Sequence, residues 1–209
     1  MPTAEQILQD LAAIANAAQP LAIAWHVVLA IAVVGLLAGW RPSRKLAGSL
    51  LALPLFSVSV MAWAHENPFN GIIIGAVALA MLLLAGHLPV EPVSRGAGWA
   101  WGVGIVLVGF GWVYPHFLDS GTPWVYLYAA PFGLVPCPTF AVVTGFALMA
   151  GGLGTREWSG VLTGGGFFYG LFGAVLLGVG IDVVLLGGAI ALCAATMHLR
   201  WAPSPEPEA

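Results

Sequence analysis

Seven apolar segments follow one another along most of the chain, separated by short polar or glycine-rich breaks. They cover residues 20–40, 46–64, 71–89, 98–114, 138–154, 159–179 and 181–200. A helix needs about 17–25 mostly apolar residues to cross a hydrocarbon core of about 30 Å, and most of the segments reach that length. The boundary between the last two is the weakest, because only glycine and one acid interrupt the run at GVGID. The pattern therefore predicts an all-α polytopic membrane protein, a bundle of seven transmembrane helices.

The first 19 residues follow a different pattern, in which apolar side chains recur at helical spacing between polar ones. Thr3 and Gln6 stand at the positions of a capping box, in which two side chains satisfy free backbone amides at a helix start. The apolar positions that form one face are Ile7, Leu8, Leu11, Ile14 and Ala18. Residues 1–19 are therefore predicted to form an amphipathic surface helix, ahead of a single seven-helix domain over 20–200. The Pro-rich end, 201–209, is predicted to be disordered.

Composition narrows the class of protein further. The chain is 60% hydrophobic and 7% charged, with a mean hydropathy of +0.95, whereas soluble domains carry roughly 25% charged residues. Its Lys and Arg residues, 6 in all, are too few for a nucleic-acid-binding face. No glycine-rich phosphate loop stands between a strand and a helix. Nucleic acid is therefore not expected as a partner, whereas membrane lipid is.

The basic residues indicate how the helices are oriented. Counted along the seven segments, all of them fall on one side of the membrane: Arg41, Arg44, Lys45, Arg95, Arg156 and Arg200. Six crossings would separate Arg200 from the rest. Because basic side chains are enriched in cytoplasmic loops, the sequence predicts seven crossings of a bacterial cytoplasmic membrane. The N-terminus would lie outside and the C-terminus in the cytoplasm.

Ionisable side chains with metal-ligand chemistry collect on the predicted outer side. They are His26, His65, Glu66, His116, Cys137 and Asp182. Imidazole, carboxylate and thiolate groups suit a divalent or soft metal ion such as zinc or copper, and polar groups at membrane depth often mark function. The sequence therefore predicts an outward-facing metal site. Two further histidines, His87 and His198, fall on the inner side and could form an exit station.

Each of these residues also has a purely structural explanation. His26 lies about six residues, or roughly 9 Å, into the first span, where a hydrogen bond between helices would satisfy it. His65 and Glu66 begin the loop HENPFN, which reads as a solvated turn. Asp182 stands where the last span begins, as a helix N-cap residue would. The sequence leaves both readings open, and for His87 and His198 the alternative is a place at the membrane interface.

Cys137 lies between two prolines in the stretch PFGLVPCPTF. Proline is tolerated at the first helical position, so Pro138 is predicted to begin the fifth span with Cys137 at its cap and Thr139 just inside. Pro136 and Pro138 both push the preceding residue toward extended backbone. Upstream, residues 122–137 are too short to span and are predicted to form a half-helix that is re-entrant or interfacial. Irregular backbone at that depth needs protein or a water-filled cavity around it, and a structural plug is the alternative to a functional thiol.

Three stretches resemble a bacterial membrane family known as domain-of-unknown-function family 6064. FGLVPCPTFAVVTGFALM is similar to its Phe-Gly-Leu-Pro-Cys-Pro-Thr signature, with Val135 as an additional residue. WSGVLTGGGFFYGLFGAVLLGVGIDVVLL resembles its closing pattern, and AHENPFNG its His-then-Asn-Pro region. The resemblance covers nearly the whole chain and implies no activity. Carried over by position, it points to His65, Asn67, Cys137, Pro138, Thr139 and Asp182.

The functional hypothesis that these residues favour is binding or transport of a metal ion or small polar solute. Imidazole and thiolate would hold a soft or borderline cation, and the carboxylates would balance its charge. A role without catalysis is favoured over an enzyme, and no catalytic residue is assigned.

Three alternatives stay open. An accessory subunit of a membrane complex, with a membrane-protein partner or a second copy, would use its polar residues only to hold helices together. An intramembrane metal-dependent hydrolase would activate a zinc-bound water. A transmembrane b-type cytochrome would hold haem between histidines, but only His26 lies clearly inside a span, so haem is less favoured than zinc or copper.

Overall fold

The computed structural model describes residues 3–119 and 122–198, and the regular secondary structure within them is helical, apart from one isolated bridge between Ser43 and Pro92. The predictions for Arg200 and for the tail 201–209 lie outside the described residues. The helices are α1 Ala4–Ala17, α2 Gln19–Leu37, α3 Arg44–Ala64, α4 Pro68–Gly86, α5 Gly98–Val113, α6 Tyr126–Ala129, α7 Pro136–Met149, α8 Arg156–Leu171 and α9 Val183–His198.

Within the described residues, five helical stretches are long and apolar enough to cross a membrane. They are Gln19–Leu37, Arg44–Ala64, Pro68–Gly86, Arg156–Leu176 and Gly180–Met197. The helices α5 and α7 are apolar but shorter, with 16 and 14 residues. Each of the seven apolar segments thus contains a helix. The structure supports a membrane protein, while a count of seven crossings is not confirmed.

The shortest of these apolar helices, α7, is enclosed by the rest of the bundle. It packs against α3, α5, α8 and α9, and every residue from 129 to 145 is buried. A helix that faces protein on all sides does not need the length that exposure to hydrocarbon imposes. The short length of α7 is therefore a consequence of its central place.

The contact between α5 and α7 depends on two glycines that face each other. A Cβ atom at Gly104 would lie 2.6 Å from the carbonyl oxygen of Gly145, and a Cβ at Gly145 would lie 2.6 Å from that of Gly104. Small residues let helix backbones approach closely, which is a main source of helix association in lipid. The central helix is therefore held on one side by backbone-to-backbone packing.

One end of the bundle gathers the loops that carry basic residues. The amide of Arg44 donates to the carbonyl of Glu91, and the amide of Gly96 donates to that of Met149, so three connections meet there. This basic end holds Arg41, Arg44, Lys45, Arg95 and Arg156. Their grouping at one end agrees with the alternation of helix direction that the charge pattern predicted.

The opposite end carries α1, and is called the α1 end below. The predicted capping box is confirmed, because the Thr3 hydroxyl accepts from the Gln6 amide and the Gln6 side chain accepts from the Thr3 amide. Asn16 fixes the far end of the helix: its Nδ2 donates to the Phe117 carbonyl at 2.8 Å and its Oδ1 accepts from the Asp119 amide at 2.9 Å. The helix is thus tied to the chain that leaves α5.

The segment before α7 contains the predicted short helix. A 3-10 turn at Pro123–Val125 runs into α6, and the following residues, 130–135, are buried without regular structure. The Thr139 hydroxyl donates to the Val135 carbonyl at 2.7 Å and accepts from the Gly133 amide at 2.9 Å. One side chain therefore supports this irregular backbone from inside α7.

The start of α7 differs from the prediction by two residues. Val135 is the extended residue before the helix, Pro136 is the first helical residue, and Cys137 is the second rather than the cap. The first four amides of a helix have no intrahelical acceptor. Both prolines fit inside the first turn for that reason, and the choice of Pro138 as the first residue was wrong.

Candidate functional site

The connection from α8 to α9 is a broken helix that places an acid inside the protein. After α8 the chain forms one turn of π-helix at Phe172–Leu176, and a 3-10 turn at Gly180–Asp182 leads into α9. Between them Gly178 has a φ of 69°, a conformation that glycine adopts without strain. This break corresponds to the GVGID interruption in the sequence. It leaves Asp182 1% exposed.

The carboxylate of Asp182 is held by groups from three parts of the chain. Its Oδ1 accepts a 2.8 Å hydrogen bond from the hydroxyl of Tyr114, and the thiol of Cys137 lies nearby. Its Oδ2 occupies the place that a Cβ atom at Gly173 would take. His116 adds a favourable electrostatic interaction. The carboxylate therefore accepts a hydrogen bond on one side and packs closely against the backbone of Gly173 on the other.

Tyr114 follows directly after the last residue of α5 and is fully buried. Its ring stacks on Phe117, with centroids 6.0 Å apart, and meets the ring of Phe110 edge-on. A phenol is protonated at neutral pH, and beside a carboxylate it is the group that has a proton to donate. The phenol therefore keeps its proton and acts as the donor.

A second branch of polar contacts continues from Cys137. Its sulfur lies 3.9 Å from the carbonyl oxygen of Tyr169, and the Tyr169 hydroxyl donates a 3.0 Å hydrogen bond to Oδ1 of Asn70. The Tyr169 ring stacks on Phe140, with centroids 5.2 Å apart. These contacts bring α4, α7 and α8 into the same arrangement. The set Asn70, Tyr114, Cys137, Tyr169 and Asp182 is called the buried polar cluster below.

The chemistry of the buried polar cluster is that of one acid among neutral donors. Two phenols, an amide and a thiol can donate or accept hydrogen bonds, whereas Asp182 alone changes its charge readily. Burying a carboxylate is costly unless its charge is compensated, and ionisable side chains inside membrane proteins often mark proton or ion pathways. The arrangement can therefore take up and release a proton.

The structure brings three of the six predicted metal ligands into one neighbourhood. Cys137 and His116 both lie near the carboxylate of Asp182. In the part of the chain that the structure describes, however, no three His, Cys, Asp or Glu side chains converge as the ligands of a metal ion would. The three residues are neighbours around the acid of a polar cluster.

His26 lies away from Asp182, between α2 and the end of α5. It is 4% exposed, and its Nδ1 and Nε2 atoms each lie 2.9 Å from a carbonyl oxygen, of Ala22 and Trp112 respectively. The contact with Trp112 is the hydrogen bond between helices that the sequence offered as the structural explanation.

His65 and Glu66 lie at the turn between α3 and α4. Together with Asp10 of α1 they line a cavity of about 250 Å³ at the surface of the α1 end. The Nδ1 atom of His65 lies 2.9 Å from the Met61 carbonyl oxygen. Asp10 was missed as a neighbour of this turn, since no spacing in the sequence connects α1 with residues 65–66.

The two predicted inner-side histidines are at the ends of helices. His87 follows the last residue of α4 and is exposed at the basic end. His198 is the last residue of α9. The position of His87 fits the interfacial alternative.

Sequence reasoning missed the two phenols of the buried polar cluster. Tyr114 and Tyr169 stand in runs of aromatic and apolar residues, VYPHF and FFYG, and look like ordinary packing residues. The available signal was the hydroxyl group, because a buried tyrosine usually needs a hydrogen-bond partner for it. Asking where those partners are would have pointed to Asp182 and Asn70.

No protein-family model, curated protein or solved structure matches this chain. The described residues form an all-helical protein with helices long and apolar enough to span a membrane, and with a buried acidic polar cluster at the α1 end. The resemblance to domain-of-unknown-function family 6064 stays a prediction.

Proposed function

We propose that the protein is an integral membrane carrier in which Asp182 binds a proton. Uptake and release of that proton would be coupled to the movement of a small polar solute or cation through the bundle. The observation that carries the proposal is the environment of this side chain, which is 1% exposed and accepts a hydrogen bond from the neutral phenol of Tyr114. A proton is the smallest cation that can neutralise it there.

The broken helix beside Asp182 supports a site that can rearrange. A π-helical turn inside a helix is uncommon and is frequent at functional sites, and here it occupies Phe172–Leu176. Interrupted helices form the ion and substrate sites of many transporters. The amide of Val179 donates to the Gly173 carbonyl across the break, so a shift of this segment would move backbone that touches the carboxylate.

The proposal includes seven crossings, with the α1 end facing outside. Five helical stretches have sufficient length, and α7 can cross as a short helix because protein surrounds it. Placing the basic end in the cytoplasm satisfies the enrichment of Lys and Arg in cytoplasmic loops. The buried polar cluster then lies toward the outer surface of a bacterial cytoplasmic membrane.

A proton fits the arrangement better than a zinc or copper ion does. A metal site needs three or four ligands converging on one point, and the described residues offer no such group. A proton needs only one carboxylate oxygen, and Oδ1 and Oδ2 of Asp182 are both inside the bundle. Zinc or copper binding, and the hydrolase and cytochrome alternatives that depend on a metal, stay predictions.

The test is infrared difference spectroscopy on the purified protein in lipid nanodiscs, recorded during a pH titration. A protonated carboxylic acid has its own C=O stretching band, and we expect one such band to disappear in Asp182→Asn. The matched control is Asp119→Asn, because Asp119 is an exposed acid on the same end. A titrating band that persists unchanged in Asp182→Asn would overturn the proposal.

Coupling to transport is tested in proteoliposomes with a pH-sensitive dye inside and an imposed membrane potential. We expect proton flux with the wild-type chain and with Asp119→Asn, and none above the lipid background with Asp182→Asn. Equal flux in the two acid variants would show that Asp182 does not carry the proton.

A further inference from the structure

We infer that His26 is a positioning residue for the buried polar cluster. It holds the C-terminal end of α5 so that the Tyr114 hydroxyl reaches Asp182. The inference rests on the proposed function, since it assigns a role in setting up the proton-binding acid. His26 acts on the cluster through the backbone of α5, which it contacts at the Trp112 carbonyl.

The contacts of His26 indicate that its imidazole is a hydrogen-bond donor. A carbonyl oxygen can accept a hydrogen bond but cannot donate one. Both neighbours of the ring nitrogens are carbonyl oxygens, each at 2.9 Å, and one of them belongs to Trp112. The ring also meets those of Trp112 and Phe132 edge-on, with centroids 5.5 and 6.4 Å apart. A neutral imidazole carries one N–H, and the Ala22 carbonyl is already the intrahelical acceptor four residues before His26. We therefore assign the proton to Nε2, which donates to the Trp112 carbonyl between α2 and α5.

The Trp112 carbonyl is a group that needs such a donor. The last four carbonyls of a helix have no intrahelical partner, and Trp112 is the next-to-last residue of α5. A buried carbonyl left without a donor is costly. His26 therefore supplies from another helix the hydrogen bond that α5 cannot make for itself.

A second bond holds the same residue from the other side. The indole Nε1 of Trp112 donates a 2.8 Å hydrogen bond to the Leu127 carbonyl of α6. With both its carbonyl and its side chain engaged, Trp112 is a fixed point at the end of α5. Tyr114 lies two residues further on, where the backbone leaves the helix with φ −22° and ψ 98°.

The short distance along the chain makes the position of Tyr114 depend on that fixed point. Between Trp112 and Tyr114 there is one residue, Val113, which is still helical. Loss of the His26 bond frees the last turn of α5 to seek another donor for its carbonyls. We expect the hydroxyl of Tyr114 then to lose its 2.8 Å hydrogen bond to Asp182, which stands on a different element at the start of α9.

The experiment reads the Tyr114 hydrogen bond directly. Infrared spectra of the full-length chain in nanodiscs contain tyrosine ring bands whose positions depend on the hydrogen bond of the hydroxyl, and the band of Tyr114 is assigned as the one lost in Tyr114→Phe. We expect this band to shift in His26→Leu, which removes the donor. We expect it to return to the wild-type position in His26→Gln, whose longer amide can still donate to the Trp112 carbonyl.

Two further variants separate positioning from a general loosening of α2. Trp25→Phe removes the 2.9 Å hydrogen bond from α2 to Ser57 of α3 and should leave the Tyr114 band in place. His26→Asn keeps a polar side chain that is too short to reach α5, and should shift the band as His26→Leu does. It also serves if the leucine variant does not accumulate. An unshifted Tyr114 band in His26→Asn, or an equal shift in Trp25→Phe, would overturn the inference.

The outcome for this inference is distinguishable from that for the proposed function. The Tyr114 band reports a hydrogen bond whether or not Asp182 holds a proton. A shifted tyrosine band without any titrating carboxyl band would support His26 as a positioning residue and contradict the proton-binding role. A titrating Asp182 with an unshifted tyrosine band would support the proton-binding role and contradict the positioning role of His26.

Discussion

The hydroxyl of Tyr114 donates a 2.8 Å hydrogen bond to Oδ1 of Asp182 and so joins the end of α5 to the start of α9. Both residues are at most 1% exposed. They stand 68 positions apart in the sequence, and each follows directly on a place where a helix ends or is interrupted. The contact is therefore made by two helix ends that meet inside the protein.

Removal of the Tyr114 hydroxyl should destabilise the fold. Tyr114→Phe keeps the ring and its stacking on Phe117 but leaves the buried Asp182 with one donor fewer, which typically costs about 1–3 kcal/mol. Reversible unfolding in mixed micelles, followed by tryptophan fluorescence, measures the change in free energy of unfolding. The control is Tyr128→Phe, because Tyr128 is 53% exposed; equal losses in both variants would contradict the assigned contact.

The same substitution, glycine to alanine, should have different effects on stability at two positions of α5. In Gly104→Ala the new Cβ would lie 2.6 Å from the backbone oxygen of Gly145, and overpacking of this kind costs about 1–3 kcal/mol. In Gly102→Ala nothing lies within 4 Å of the new Cβ. The same unfolding measurement should show a loss for the first variant and none for the second. Equal stability of the two would show that α5 and α7 do not meet at Gly104.

The two cysteines should differ in their reaction with maleimide. Cys137 is buried within α7, whereas Cys193 is partly exposed in a groove of about 510 Å³ between α8 and α9. Labelling of the folded protein in detergent should therefore modify Cys193 first, and Cys137 only after unfolding. The single-cysteine variants Cys137→Ser and Cys193→Ser allow the two rates to be followed separately by mass spectrometry. Faster labelling of Cys137 would contradict its enclosed position.

Reporter fusions should distinguish seven crossings from five. A reporter that is active only outside the cytoplasm is placed after Arg95, Asp119 or Arg156, which flank α5 and α7. If both helices cross, the fusion after Asp119 is active and the other two are inactive. If neither crosses, all three fusions report the same side. Activity after Arg95 or Arg156 would also reverse the orientation that the basic residues indicate.

The helical fold could be read from the sequence because its signal is strong and local. Long apolar runs with few charges leave the backbone no way to satisfy its polar groups in lipid except as helices. The boundaries were less certain where prolines cluster. Pro136 and Pro138 both fit the first turn of α7, and only the extended backbone of Val135 shows which residue begins the helix.

The candidate site was predicted in part, for a physical reason. Ionisable residues draw attention because burying them is costly, and that argument identified Asp182, Cys137 and His116 as residues of interest. It could not distinguish neighbours from residues that lie apart, such as His26 or His65, since this depends on how helices rotate against each other. Tyr114 carries no charge, so in the sequence it looks like a packing residue, and its hydrogen bond to Asp182 is evident only in the structure.

The enclosed position of α7 has a consequence for how the protein is made. A helix of 14 residues is about 21 Å long, too short to rest alone in a bilayer core of about 30 Å. During synthesis it emerges before α8 and α9, two of the helices that cover it. If α7 crosses as proposed, the growing chain keeps it beside α3 and α5 at the insertion machinery until the last two helices are complete. Assembly of the bundle is then a cooperative event rather than a sequence of independent insertions.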